Sequence, residues 1–234
     1  MRVRVLAFVP VFVLVAILAA APSMAAGGET ARVATAADVM NQIMQIPEKA
    51  IPPALLANAQ GIAIVPGVIK VGFVVGGQYG RGVLVVREKD GSWSRPVFIT
   101  LTSGSVGWQI GAESTDFVLV FKTRKSVEGA LNGKFTLGAD AAVAAGPVGR
   151  RAEAATDVKL EAEIYSYSRN RGLFAGLSLE GSALQIDDAA DAAFYGRAGI
   201  RGTEIVDATG LKAPDVADRL DQTLARYAGP AHKG

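Results

Sequence analysis

GGQYGRGVLVV, residues 76–86, places four glycines within seven positions, two of them flanking Arg81, and then runs into an unbroken aliphatic segment. A phosphate-cradling loop and a glycine-bearing strand can both begin this way. A dinucleotide fingerprint needs G-x-G-x-x-G at the opening of a helix. Gly80 and Gly82 supply the first pair, but Val85 stands where the third glycine is required. The Gly-Lys-Ser/Thr ending of a P-loop is also missing. The glycines lead into VLVVRE, which has a strand texture, whereas a nucleotide phosphate is held at a helix N-terminus. The glycines are therefore read as strand glycines, which permit bulges, tight bends or the close approach of another backbone. The same device recurs at Gly104, Gly107 and Gly111, and at Gly172, Gly176 and Gly181. Glycines spread through many strands suit a strongly curved sheet.

Working outward, GIAIVP, VIKVGFVV, RGVLVVRE, RPVFITLTS, SVGWQIG and TDFVLVFK are short runs rich in Val, Ile, Phe and Thr, separated by turn signals. Asp90-Gly91 marks a hairpin. Thr123 to Asn132 reads as a short helix closed by Gly133. KFTLGADAAVAAG and the stretch from Glu163 to Ile186 resume the strand texture, with Tyr165 and Tyr167 alternating with serines at period two. Helices precede and follow this block. Thr35 and Asp38 predict a helix start, and Val39, Met40, Ile43, Met44 and Ile46 form its apolar stripe, stopped by Pro47. Such a stripe faces a core more often than a membrane. A short helix follows Pro52-Pro53. Asp187 opens another, with acids where the helix dipole favours them. The last follows Pro214, carries Val216, Leu220, Leu224 and Tyr227, and ends at Gly229-Pro230. The expected fold is α+β: a curved, mostly antiparallel, barrel-like sheet with flanking N- and C-terminal helices.

The 234 residues suffice for one domain and a leader. Arg2 and Arg4, an apolar run from Val5 to Ala21, and Ser23-Met24-Ala25 have the layout of a secretory signal peptide. The expected organisation is a signal peptide over 1–25, a flexible segment over 26–34, a single domain over 35–228 and a frayed tail over 229–234. A retained anchor is the other reading of the leader. The leader holds two of the 24 basic residues and no acid, which leaves 22 against 22 in the mature chain. That balance argues against nucleic acid as a partner. Cysteine is absent, which excludes thiolate chemistry and Cys-ligated metal, and the single histidine, His232 near the end of the sequence, argues against a His-based triad or zinc site. Export without cysteine fits a bacterial cell envelope, periplasmic or secreted, after cleavage near Ala25.

Few residues offer chemistry. Asp187 and Asp191 would share a helix face, but capping and dipole complementarity account for them. Ser103 misses G-x-S-x-G because Leu101 stands where a glycine is needed. No enzyme, cofactor, metal or nucleotide is expected. Basic residues gather at predicted turns and strand ends: Lys122, Arg124 and Lys125; Arg150 and Arg151; Arg169 and Arg171. Brought to one rim, they would make an anion-binding surface; as solvated turn charges they need no function.

Taken together the segments resemble the SYLF domain, of the yeast actin-patch type. The resemblance spans roughly Ile51 to Leu224. It is carried by LLANAQGIAIVPGVIKVGFVVGGQYGRGVLVVR, GSWSRPVFITLTSGSVGWQIGAESTDFVLVF, FTLGADAAVAAGPVGRRAEAATDV, YSYSRNRGLFAGLSLEG and AAFYG. One departure is Asp191, before AAFYG, where the family usually has Asn. The resemblance implies a lipid-binding module, associated in eukaryotic relatives with phosphoinositides and actin through an N-terminal amphipathic helix and nearby basic residues. The matching region, Thr35 to Lys49, is apolar but poor in cations, so lipid or envelope binding is carried over and the specific ligand is not. The expectation is a non-enzymatic domain that binds anionic lipid or a membrane surface. Ile43 and Met44 would enter the interface, and Lys49, Arg150, Arg151, Arg169 and Arg171 would meet head groups. The alternative is a structural module for an envelope protein partner.

Overall fold

The computed structural model describes residues 23–48, 50–72, 75–106, 113–148, 161–170, 179–208 and 210–229. Its strands are β1 Gly61–Gly72, β2 Val75–Val86, β3 Val97–Val106, β4 Glu113–Phe121, β5 Phe135–Thr136, β6 Val143–Ala145, β7 Ile164–Asn170 and β8 Ala183–Ile186. They form one sheet in the order β5-β8-β3-β2-β1-β4-β7-β6. Among the described strands only the β6–β7 pairing is parallel. The order is linear, so the described strands curl into a half-barrel without closing. The described helices are α1 Ser23–Met44, α2 Pro53–Ala57, α3 Arg124–Leu131, α4 Asp188–Tyr195, α5 Gly202–Asp207 and α6 Val216–Ala228. The α+β reading, with helices before and after a curved sheet, holds.

Both faces of the central strands are covered, and that is why they read as unbroken apolar runs. Alternate residues of one strand enter different cores. Ile62, Ile64, Val118 and Val120 pack with Met40, Leu56, Phe194 and Leu224, from α1, α2, α4 and α6. Ala63, Val65, Phe117, Leu119 and Phe121 pack on the other side with Val127 of α3, Ile205 of α5 and Leu184 of β8. Each fully buried large side chain contributes about 1.5–3 kcal/mol.

The glycines of β2 answer to a bulge in β1. The pairing of β1 shifts register with both neighbours between Ile64 and Ile69, where Pro66 lacks an N–H and Gly67 adopts φ 58°. Opposite this kink, a Cβ on Gly80 would fall 2.5 Å from Val68 Cγ2, and one on Gly82 would fall 2.8 Å from Val65 Cα. Glycine is what lets the two strands close up and the sheet curl.

Local signals are realised at several ends. Thr123 caps α3 by accepting from the Ser126 N–H at 3.2 Å, and Gly133 follows with φ 132°. Asp187 caps α4 by accepting from the Ala190 N–H at 3.2 Å, and Gly196 ends it in the left-handed region. The N-terminal helix differs from its expected bounds. Residues 26–34 belong to α1 and are helical, and Thr35 lies inside the helix, its hydroxyl donating to the Ala31 carbonyl at 2.8 Å. The cause is tertiary. Val33, Ala36 and Ala37 are fully buried, and Arg32 bonds Asp187 at 3.2 Å while lying over the Phe98 ring. These contacts stabilise helix upstream of the local start signal. α5 carries no sequence signal of its own. It has six residues and opens on Gly202, too short for a helical period to register.

Candidate functional site

The strand face covered by α1 extends past its cover. Along β2, Val83 and Val85 lie under the helices, fully or almost fully buried. Tyr79 and Arg81 continue the same face at period two and are exposed. Tyr79 pairs in register with Ile69 of β1. Ile69 is 48 % exposed and Tyr79 46 %, which makes them the two most exposed large hydrophobic side chains among the described residues, and they are neighbours. Single exposed apolar residues need no explanation; an adjacent pair is a patch. Hydroxyl residues border it: Ser114 is the β4 partner of Ile69 and Thr102 the β3 partner of Tyr79.

Arg81 supplies the patch with a cation. Its Nε donates to the Tyr79 hydroxyl at 2.7 Å, and its guanidinium carbon is 5.8 Å from the Tyr79 ring centroid. The hydrogen bond to the Tyr79 hydroxyl and the charges of Asp187 and Glu29 raise its pKa further. Among the described residues it forms no ion pair. Glu29 and Asp187 are both bonded to Arg32, at 3.7 and 3.2 Å. Arg32 of α1 lies over the ring of Phe98, the β3 partner of Val83, two residues along from the Thr100–Arg81 pair, which places the N-terminal half of α1 beside the patch.

The residues expected from sequence fare differently. Arg169 lies at the end of β7 and is committed to Asp116, with its Nε at 3.2 Å and Nη2 at 2.7 Å from Oδ2. The other Asp116 oxygen accepts the Gly67 N–H at 2.8 Å. Arg169 thus holds the β1 bulge against β4 and β7. Ile43 is 3 % exposed and sits in the core, and Met44 is half-buried against it, so the α1 stripe faces the sheet. Lys49, Arg150, Arg151 and Arg171 lie outside the described residues. Lys122, Arg124 and Lys125 follow the end of β4, roughly 17 Å along the strand from Asp116 at 3.4 Å per residue, so they do not share a rim with Arg169. Arg124 instead donates to the Arg87 carbonyl at 2.8 Å and pairs with Glu128.

The aspartates of α4 have separate tasks. Asp187 caps the helix and binds Arg32. Asp191 is fully buried, and its Oδ1 accepts the Phe98 N–H at 2.8 Å, while Oδ2 has no partner. Burial raises its pKa to about 7, reinforced by Asp188 and Asp187 and opposed by the Phe98 N–H and Arg32. Among the described residues Ser103 donates to the Gly104 carbonyl. Sequence reading missed Ile69, Tyr79 and Arg81 as a site. The available signal was the continuation of the Val83–Val85 face into two large residues flanked by glycines.

A family model described as Las17-binding protein actin regulator, Ysc84, matches residues 102–227. LAS seventeen-binding protein 3 of Saccharomyces cerevisiae (strain ATCC 204508 / S288c) is 42 % identical over 152 residues, 64 % of this chain and 33 % of that protein. SH3 domain-containing YSC84-like protein 1 of Xenopus laevis is 40 % identical over 161 residues, 68 % of this chain and 48 % of its own length. The Bos taurus protein of the same name is 36 % identical over 201 residues, 82 % of this chain and 58 % of its own. The chain thus spans about a third to somewhat over half of the length of these relatives. With more than half of its residues matched, the chain belongs to the Ysc84 family, that of the SYLF domain.

Proposed function

We propose that the chain is a non-enzymatic binding domain for a lipid or membrane surface, exported to a bacterial cell envelope. The observation that carries the reading is the exposed Ile69–Tyr79 pair where the helix-covered sheet face runs past its cover. The relatives' names, which describe binding and regulator proteins, agree with a binding role. Lys49, Arg150, Arg151 and Arg171 are the proposed additional head-group cations. Ile43 and Met44 would reach a bilayer only if α1 left the sheet.

Co-sedimentation of residues 26–234 with vesicles tests this. Binding to vesicles is expected, weakened by reversing the charges of Arg150 and Arg151. Binding that survives that reversal unchanged removes those two residues from the contact, and no binding to any vesicle rejects the lipid reading. The second reading is an envelope protein partner, favoured by relatives named for binding another protein. One partner captured from envelope extract, with no vesicle binding, would establish it.

A further inference from the structure

We infer that the face formed by Ile69, Tyr79 and Arg81 is the docking surface, and that its occupant is a bilayer interface entered chiefly by apolar contact. This inference rests on the membrane-binding reading proposed above. Three observations select the occupant. The side chains combine an aliphatic group, an aromatic ring with a hydroxyl tip and a guanidinium, the set that is stable where hydrocarbon meets head groups. Arg81 spends Nε on Tyr79, and the remaining N–H donors of its fork suit a lipid phosphate. The face adjoins the N-terminal half of α1, whose Arg32 lies over Phe98, two residues along β3 from the partner of Arg81, and the sequence leading into α1 carries the apolar run Val5–Ala21 and its basic n-region.

Charge decides the kind of lipid surface. Glu29 and Asp187 are the acids whose charges act on Arg81, and Arg32 and Arg81 are the cations; Asp116 and Arg169 cancel each other. These charges balance. A strongly anionic surface gains little from this face. The two apolar side chains supply most of the affinity, and Arg81 needs only a phosphate, which zwitterionic and anionic phospholipids both offer. Docking here is therefore salt-resistant and weakly selective between the two. That departs from a contact made by turn cations, which salt would screen.

Phosphatidylcholine vesicles, with and without phosphatidylglycerol, at low and high salt, test the inference with the mature chain. Binding to both vesicle types that persists in high salt is expected. The double variant Ile69→Ser, Tyr79→Ser should lose roughly tenfold or more in partitioning, from the transfer of two apolar side chains, with an unchanged thermal midpoint. Lys125→Glu, beyond the far end of β4, should bind as the parent does. Tyr79→Trp should be quenched by brominated lipid beyond the level of the parent chain, which settles the matter if the double variant fails to fold. Binding abolished by salt, an unaffected double variant, or no excess quenching overturns this docking face while leaving membrane binding standing. No binding by the parent chain overturns both.

Discussion

Asp191 is a carboxylate held where water cannot reach it. Its pKa near 7 lies well above the ordinary value of 3.8. Between those values the folded chain keeps a proton that the unfolded chain has released. Stability is therefore greatest at the acid end of that window and falls as pH rises from about 4 to about 7. Asn at this position keeps an oxygen for the Phe98 N–H and never ionises. Asp191→Asn should raise stability at pH 8 by about 1–3 kcal/mol, a shift of roughly 2–12 °C in thermal midpoint for a chain of this size. At pH 4 it should be neutral or slightly unfavourable, since the second Asn donor finds no acceptor. Thermal melts of both proteins at the two pH values check this, and an equal shift at both would exclude titration of Asp191 as the cause. Arg87 shows the opposite solution to a buried charge. Its guanidinium donates to the carbonyls of Ala59, Gly91, Gly229 and Leu56 at 2.9–3.4 Å and lies 4.1 Å from the Trp93 ring centroid. No carboxylate is needed, because carbonyls at the C-terminal ends of α2 and α6 already present negative dipoles.

At the scale of the element, the β1–β2 hairpin sets the curvature. The bulge at Pro66-Gly67 pushes Val65 and Val68 toward β2, and only glycines opposite can receive them. Gly82→Ala should destabilise by about 1–3 kcal/mol through overpacking. Gly104→Ala is the matched control, because a Cβ there meets nothing within 4 Å. Urea titrations of the two variants compare them, and equal losses would show that strand glycines as a class matter, with no special role for close approach at the bulge. The strand nature of GGQYGRGVLVV could be read from the sequence because its glycines lead into a strand and not a helix. The caps at Thr123 and Asp187 could be read for a similar reason: their signals are local and chemical. The start of α1 could not, since it depends on Asp187 and Phe98, over 150 and over 60 residues away. The site was obscured for the same reason. Arg169 looks like a free turn cation until Asp116 is brought beside it by β4–β7 pairing, and Tyr79 looks buried until the extent of the helical cover is known.

At the scale of the whole molecule, the matched family region and the folding unit differ. The family match covers residues 102–227, which begins inside β3 and omits α1, α2, β1 and β2. In the sheet order β1 and β2 lie between β3 and β4, so they are its centre and not an appendage. They carry Ile62, Ile64, Val83 and Val85 into one core and Ala63, Val65, Leu84 and Val86 into the other. Without them β3 has lost β2 and β4 has lost β1, and both cores have lost their middle. α6 would likewise lose α1, to which it is tied by Arg219–Asp38 and by the Tyr227 hydroxyl donating to Asn41 at 3.0 Å. A fragment of residues 102–227 should therefore not fold, whereas residues 26–229 should unfold in one cooperative transition. Circular dichroism melts and amide proton dispersion distinguish the two. A cooperative melt of the short fragment would mean that β3 and β4 can pair directly, and that the glycine-bearing hairpin was inserted into a sheet able to stand without it. A broad, uncooperative signal would identify the hairpin as the element around which the two cores assemble, and would place Ile69 and Tyr79 on the most deeply anchored strands of the domain.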